Sequence, residues 1–256
     1  MTQLAAPHRF IQLYDFRFRI WPIVLAALLM HGILTGGREI ARWFYKSGPA
    51  AWEGHVSIFL LLAIAFQALF GLAGIAVAKR LVPEMDAHLR WPPERTYVGL
   101  ALVTGLAMGL IMLIADYWPA LLSQTPPTMQ YSTTPLDSAG FLLGMLTTGL
   151  AEETIFRGLL VGLLVVLVPG RLRIGAVDLP VAAYIVALLF ALAHWQSFVV
   201  DPLHQALAQQ TYAFVWGLTY VWLMERSRSL LVPIVAHGMG NFTEVAIVIM
   251  LAAAWA

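Results

Sequence analysis

Residues 150–158 read Leu150-Ala-Glu-Glu-Thr-Ile-Phe-Arg-Gly158, with two adjacent carboxylates and an arginine inside an apolar run from about 139 to 168. Ionisable groups at bilayer depth cost roughly 3 kcal/mol or more each and by default mark a functional site. On a helix, Glu153 and Arg157 stand one turn apart with the acid on the N-terminal side, the favoured order for an ion pair. Glu152 points about 100° away. One acid is thereby neutralised and the other is left for chemistry.

Around this stretch, composition excludes a soluble domain. Hydrophobic residues make up 60% of the 256 and charged residues 11%, where soluble domains carry about 25% charged residues; mean hydropathy is +0.78. The expected fold is all-α, a polytopic membrane bundle of about seven to eight transmembrane helices. Residues 1–137 supply N-terminal helices and loops, and 138–256 a catalytic core, within one integral domain. A net charge of +1 without a Lys/Arg cluster argues against a nucleic-acid partner. The absence of cysteine excludes disulfides and thiolate metal sites. The N-terminal apolar run starts late and lacks a cleavage motif, so it reads as an uncleaved first span.

Runs near the ~20 residues that cross a bilayer fall at about 20–36, 56–78, 97–115, 139–168, 180–200, 207–224 and 230–254. Splitting the last run at Gly238 and Gly240, or re-entry by 39–55, would give eight. With the N-terminus cytoplasmic, that side holds Arg9, Arg17, Arg19, Lys79, Arg80, Arg90, Arg95, Arg171, Arg173, Arg226 and Arg228. The other side holds only Arg38, Arg42 and Lys46, a strong positive-inside bias. Those three sit among Trp43, Phe44, Tyr45 and Trp52, which suggests an interfacial helix after a span ending at Gly36-Gly37. Asp116 to Ser138, rich in proline and free of Lys and Arg, reads as an irregular extracytoplasmic loop. Leu81 to Arg95 is its cytoplasmic counterpart. Gly105 and Gly109 form a GxxxG pair for close helix packing.

Polar residues inside the spans form three clusters: Glu152, Glu153 and Arg157; Phe190-Ala-Leu-Ala-His194; and His237-Gly-Met-Gly-Asn241. Amide hydrolysis needs a base for water, an acid for the leaving amine and donors for the oxyanion. Glu152 suits the base, with His194 orienting the same water or shuttling its proton. His237 and Asn241 suit the oxyanion donors, and Glu153 with Arg157 holds the helix face. A metal alternative stands beside this: Glu152, His194 and His237 match a common zinc set with an open position, although HExxH is missing. His31 and Gln67 read as packing residues, Asp201 and His204 as solvated, and Glu244 as lying outside the site.

The three clusters resemble EExxxR, FxxxH and HxxxN, the motifs of the CAAX protease and bacteriocin-processing family, also called the type II CAAX prenyl endopeptidase or abortive-infection family. They stand in order at 152–157, 190–194 and 237–241, and the likeness covers roughly 138–245. It implies an all-helical intramembrane endopeptidase in which Glu152 and His194 activate water and His237 and Asn241 form the oxyanion hole. The expected partners are a peptide or protein substrate at the membrane, prenylated or bacteriocin-like, and the lipid bilayer. The family is widely described as metal-dependent. No cofactor is favoured for this chain, with zinc as the alternative. The runner-up from another class is a proton-coupled transporter with Glu152, His194 and His237 as a relay, but the internal repeats common in such folds are not visible.

One arithmetic problem accompanies this reading. Along upright helices, Glu152 and His194 lie roughly 24 and 22 Å from the cytoplasmic ends of their runs and His237 only about 12 Å. The fourth span must project beyond the bilayer or the helices must tilt, with Gly162, Gly238 and Gly240 as points of adjustment.

Overall fold

A computed structural model describes residues 10–128 and 134–255. Arg9 and the centre of the 116–138 loop lie outside the described residues. The chain is predominantly helical: α1 (Ile20–Ser47), α2 (Val56–Leu81), α3 (Val98–Ser123) and α4 (Pro135–Glu153), then a π-helix (Thr154–Val161) that runs into α5 (Gly162–Leu167). After α5 come α6 (Val181–Ala193), a short α7 (Ser197–Val200), α8 (Leu203–Ser227) and α9 (Leu231–Ala254). Among the described residues, five segments are long and apolar enough to cross a membrane: α1, α2, α3, α6 with α7, and α9. Their outer faces leave side chains such as Val103, Leu106, Ile111 and Ile114 of α3 exposed. That pattern suits a lipid solvent, because helices apolar on all sides need no polar face.

Several boundaries differ from the sequence expectation. Gly36-Gly37 does not end α1, which continues to Ser47. Gly37 instead marks a close crossing with α2: a Cβ there would meet the Gln67 side chain at 2.6 Å. The basic, aromatic stretch is therefore the end of a long helix, followed only by a 3-10 turn at Ala50–Trp52. Asp116 lies inside α3, not in a loop, and α9 is continuous through Gly238 and Gly240. Gln67 does pack between helices, donating to the Leu34 carbonyl at 3.0 Å. His31 does not; it is exposed on α1.

A three-stranded antiparallel sheet was not expected. It consists of β1 (Ile11–Tyr14), β2 (Arg171–Ile174) and β3 (Val177–Pro180), in that order. Gly175, with φ +59°, opens the two-residue turn between β2 and β3, as a Gly-X hairpin requires. Arg171 ties the sheet to the end of α8, donating to both oxygens of Glu225 at 3.1 and 3.0 Å and to Asp178 at 2.9 Å.

The largest core surrounds the π-helix, where Ile155, Phe156, Leu159 and Leu160 pack against residues such as Ile75, Val186 and Leu230. All eight π-helical residues are buried. Here the depth problem is resolved. Gly158 lies against Leu230, the residue just before α9, and near the Ala87 carbonyl. Gly162 lies against Met85 and Asp86, in the segment that follows α2. The residues from Leu159 to the end of α5 therefore project past the start of α9. Measured from Gly158 and Leu230, Glu152 and His237 sit at similar depth.

Candidate active site

Glu152 and Glu153 close α4, whose start is fixed by Pro135 in its first turn and by Thr134, which accepts from the Asp137 amide at 3.2 Å. The helix then widens into the π-helix, a form found mostly as short insertions at functional sites. Arg157 Nη1 donates to Glu153 Oε1 at 3.0 Å, and both side chains are 0% exposed. The guanidinium lies 4.5 Å from the Phe190 ring and 4.9 Å from the Tyr220 ring. Cation–π attraction of this kind strengthens when the pair is desolvated. The expected ion pair is present, and two aromatic residues from other helices enclose it.

Glu153 has a second role that its motif position did not reveal. The same Oε1 accepts from His237 Nδ1 at 2.7 Å. A carboxylate paired with arginine is an acceptor only, so Nδ1 carries the proton. Tyr220 stacks on the His237 ring at 4.8 Å and 13°, and Phe190 meets it edge-on at 6.0 Å. His237 Nε2 points toward Glu152, 3.7 Å from Oε2. That is too long for a hydrogen bond, so both groups are left available to a third.

His194 caps the C-terminus of α6. Its Nδ1 donates to the Phe190 carbonyl at 2.8 Å, which fixes the neutral tautomer and leaves Nε2 as an acceptor. Its own carbonyl accepts from Gln210 at 3.0 Å and from Ser197 at 2.9 Å, fastening this turn to α8 and α7. Asn241 is one turn beyond His237 on α9, and its amide has no hydrogen-bond partner among the described residues.

Glu152, His194, His237 and Asn241 all line one cavity of about 170 Å³. Glu152, His194 and Asn241 also line a larger cavity of about 460 Å³ bounded by α1 and α2. The Glu152 side chain is 21% exposed, whereas Glu153 is sealed behind it. The two neighbouring acids thus have opposite surroundings.

α9 reaches this place through backbone contact. A Cβ on Gly105 or Gly109 of α3 would meet the carbonyl of Ala236 or Gly240 at 2.4 or 2.5 Å. The GxxxG pair is a helix-packing device, as its spacing suggested.

Glu244, set outside the site on sequence grounds, lines the same small cavity as Asn241 and His237. It stands beside Asp116 of α3, which accepts from the Tyr212 hydroxyl at 2.9 Å. The Asp116 carbonyl accepts from Gln205 at 2.9 Å and from His204 at 3.2 Å. His204 thus stands in the first turn of α8 and is not a solvated loop residue. The available signal was the spacing of seven between His237 and Glu244, which returns to one helix face.

Among the described residues, no three His, Asp or Glu side chains group closely enough to hold one metal ion. The Glu152–His194–His237 set does not form a ligand cage in this arrangement, and no step below passes through a metal.

Residues 134–243 match the family model described as Type II CAAX prenyl endopeptidase Rce1-like. No curated protein and no solved structure matches the chain. The matched segment contains all three motifs and every side chain that lines the small cavity from α4, α6 and α8. Over these residues this integral membrane chain is similar to the Rce1-like type II CAAX prenyl endopeptidases.

Proposed function

We propose that the chain is an intramembrane endopeptidase that hydrolyses a peptide bond of a membrane-associated substrate, a prenylated CAAX-type tail or a bacteriocin-like peptide. Water held between Glu152 and His194 Nε2 loses a proton to Glu152 as its oxygen attacks the carbonyl carbon. The carbonyl oxygen becomes an oxyanion and receives hydrogen bonds from His237 Nε2–H and the Asn241 amide. Since Glu153 retains the proton on Nδ1, the donating form of His237 is the imidazolium. The C–N bond then breaks, and Glu152 returns its proton to the leaving nitrogen.

The observation that carries this reading is the meeting of four side chains from α4, α6 and α9 at one cavity, with one acid open to it and its neighbour sealed. The mechanism needs no metal, so chelation should leave the rate unchanged; loss of activity restored by zinc would favour the metal-dependent alternative. Five apolar helices together with the α4–α5 run and α8 make seven crossings, and the positive-charge bias puts the N-terminus in the cytoplasm. Residues 138–256 form the catalytic core.

The test is Glu152→Gln in proteoliposomes with a membrane-anchored peptide. Cleavage should vanish while the melting temperature stays that of the parent, because the altered group faces the cavity. Cleavage at the parent rate would end the proposal.

A further inference from the structure

The larger cavity contains a charge that the mechanism does not use. Arg38 of α1 lines it together with Glu152, His194 and Asn241, and it is the only Lys or Arg among the described lining residues. Its basic neighbours are accounted for: Arg42 pairs with Glu39, and Lys46 lies in the last turn of α1, where a cation complements the helix dipole. Arg38, half-buried, has no ion-pair partner among the described residues. The cavity wall also carries the apolar Leu34, Leu60, Ile64 and Phe156 and the acids Glu152 and Asp201, neither of which forms an ion pair with Arg38. A guanidinium kept there without an ion-pair partner costs free energy that a directly paired acid or an apolar residue in its place would avoid. Arg38 also runs against the positive-charge bias that orients the chain. Both facts point to a partner that arrives from outside.

We propose that Arg38 is an anion-binding residue of the substrate cavity, and that the peptide substrate presents a carboxylate to it on the α1–α2 side of the scissile bond. This rests on the peptidase reading of the same cavity. Guanidinium is the side chain whose planar fork matches a carboxylate in two parallel hydrogen bonds. The Arg38–carboxylate contact would fix how far the peptide enters, and hence which carbonyl stands before Glu152 and His194. A carboxylate comes from a peptide C-terminus or from an Asp or Glu side chain. A lipid phosphate could use the same guanidinium, but the cavity is shared with the residues assigned to water activation. An anion seated there belongs to whatever lies beside the reacting bond, which is the peptide.

The experiment uses full-length Glu152→Gln protein, so that binding is read without turnover. Two pairs of fluorescent, acyl-anchored peptides serve as probes: one pair differs only in a C-terminal carboxylate against an amide, the other only in an internal Asp against Asn. The carboxylate member of one pair should bind about ten- to a hundredfold more tightly. The pair that shows the preference identifies the source. Arg38→Gln should abolish the difference and Arg38→Lys should keep part of it. Equal affinity within both pairs, no detectable binding of either member, or a preference that survives Arg38→Gln overturns the proposal. Protection of Arg38 from glyoxal modification by phosphatidic acid vesicles, without any carboxylate preference, overturns it in favour of a lipid site. The peptidase reading is judged separately by cleavage with the parent protein, which can stand while binding proves blind to charge.

Discussion

His237 Nδ1 and Glu153 Oε1 lie 2.7 Å apart, and the oxygen that accepts this proton is the one that also accepts from Arg157. The second acid of the EExxxR motif therefore orients an imidazole on another helix. Glu153→Gln keeps the shape and removes the charge. It should lower cleavage about 10²–10³-fold, the usual effect of losing one oxyanion donor. His237→Gln should cost a similar amount, and the double variant no more than either alone, since both disable one unit. Additive losses in single-turnover assays would show that the two act independently.

Arg157 is the largest fully buried side chain among the described residues, and its pair with Glu153 is enclosed by rings. Arg157→Met leaves a buried carboxylate with only His237 beside it, so stability should fall by about 3–5 kcal/mol. Adding Glu153→Leu removes that uncompensated charge and should recover much of the loss in a denaturation series. Cleavage should stay impaired, because His237 has lost its acceptor. Recovery of both properties would mean that the pair serves the fold alone.

These relationships were unequally legible in the sequence. The ion pair could be read because both partners lie on one helical stretch, where a spacing of four dictates contact. The tie from Glu153 to His237 could not, since it depends on how α9 settles against α3 and α4. The π-helix was also hidden: the tertiary packing around Gly158 and Gly162 has no period of its own. The β2–β3 hairpin left a local trace in Gly175-Ala176 between alternating residues. Its third strand lies about 160 residues away in sequence, and a hydropathy reading had no means to pair it. The pair Gly36-Gly37 misled because glycine serves helix ends and close helix crossings equally.

Glu244 of α9 lines the small cavity and stands beside Asp116 of α3. Glu244→Gln keeps the shape of the side chain and removes a titratable group. If the pair only packs the helices, the pH profile of cleavage should keep its shape; if it handles protons for the site, one limb should move. The expected outcome is a moved limb with little change in melting temperature, read from kcat over a pH series.

The sheet supplies a pH-dependent anchor outside the membrane. The Tyr14 hydroxyl and then the Arg171 guanidinium hold the Asp178 carboxyl below the usual carboxylate range. A group with a depressed folded-state pKa stabilises above its unfolded pKa, and that contribution disappears as pH falls through the folded value. Hydrogen exchange of residues 171–180 should therefore quicken on acidification below about pH 4. In Asp178→Asn it should be fast already at neutral pH and change little with acid. Identical protection in parent and variant at neutral pH would show that the hairpin does not depend on this contact.

Gly238 carries the most direct test of how geometry reaches the site. A Cβ there would lie 2.1 Å from the Leu146 carbonyl oxygen of α4, so Gly238→Ala must push α9 away from α4. His237 and Asn241 ride on α9, whereas Glu152 and Glu153 ride on α4. A displacement of about 1 Å between reacting groups can cost 10²-fold in rate, and overpacking costs about 1–3 kcal/mol in stability. Both losses are expected for Gly238→Ala, with the rate falling further than the stability loss accounts for when measured well below the melting temperature. Gly32→Ala is the control, because a Cβ at Gly32 of α1 meets nothing within 4 Å and should leave both unchanged. If Gly238→Ala cleaves like the parent, the spacing of α4 and α9 does not set the position of the donors, and the assignment of His237 and Asn241 to the oxyanion fails with it.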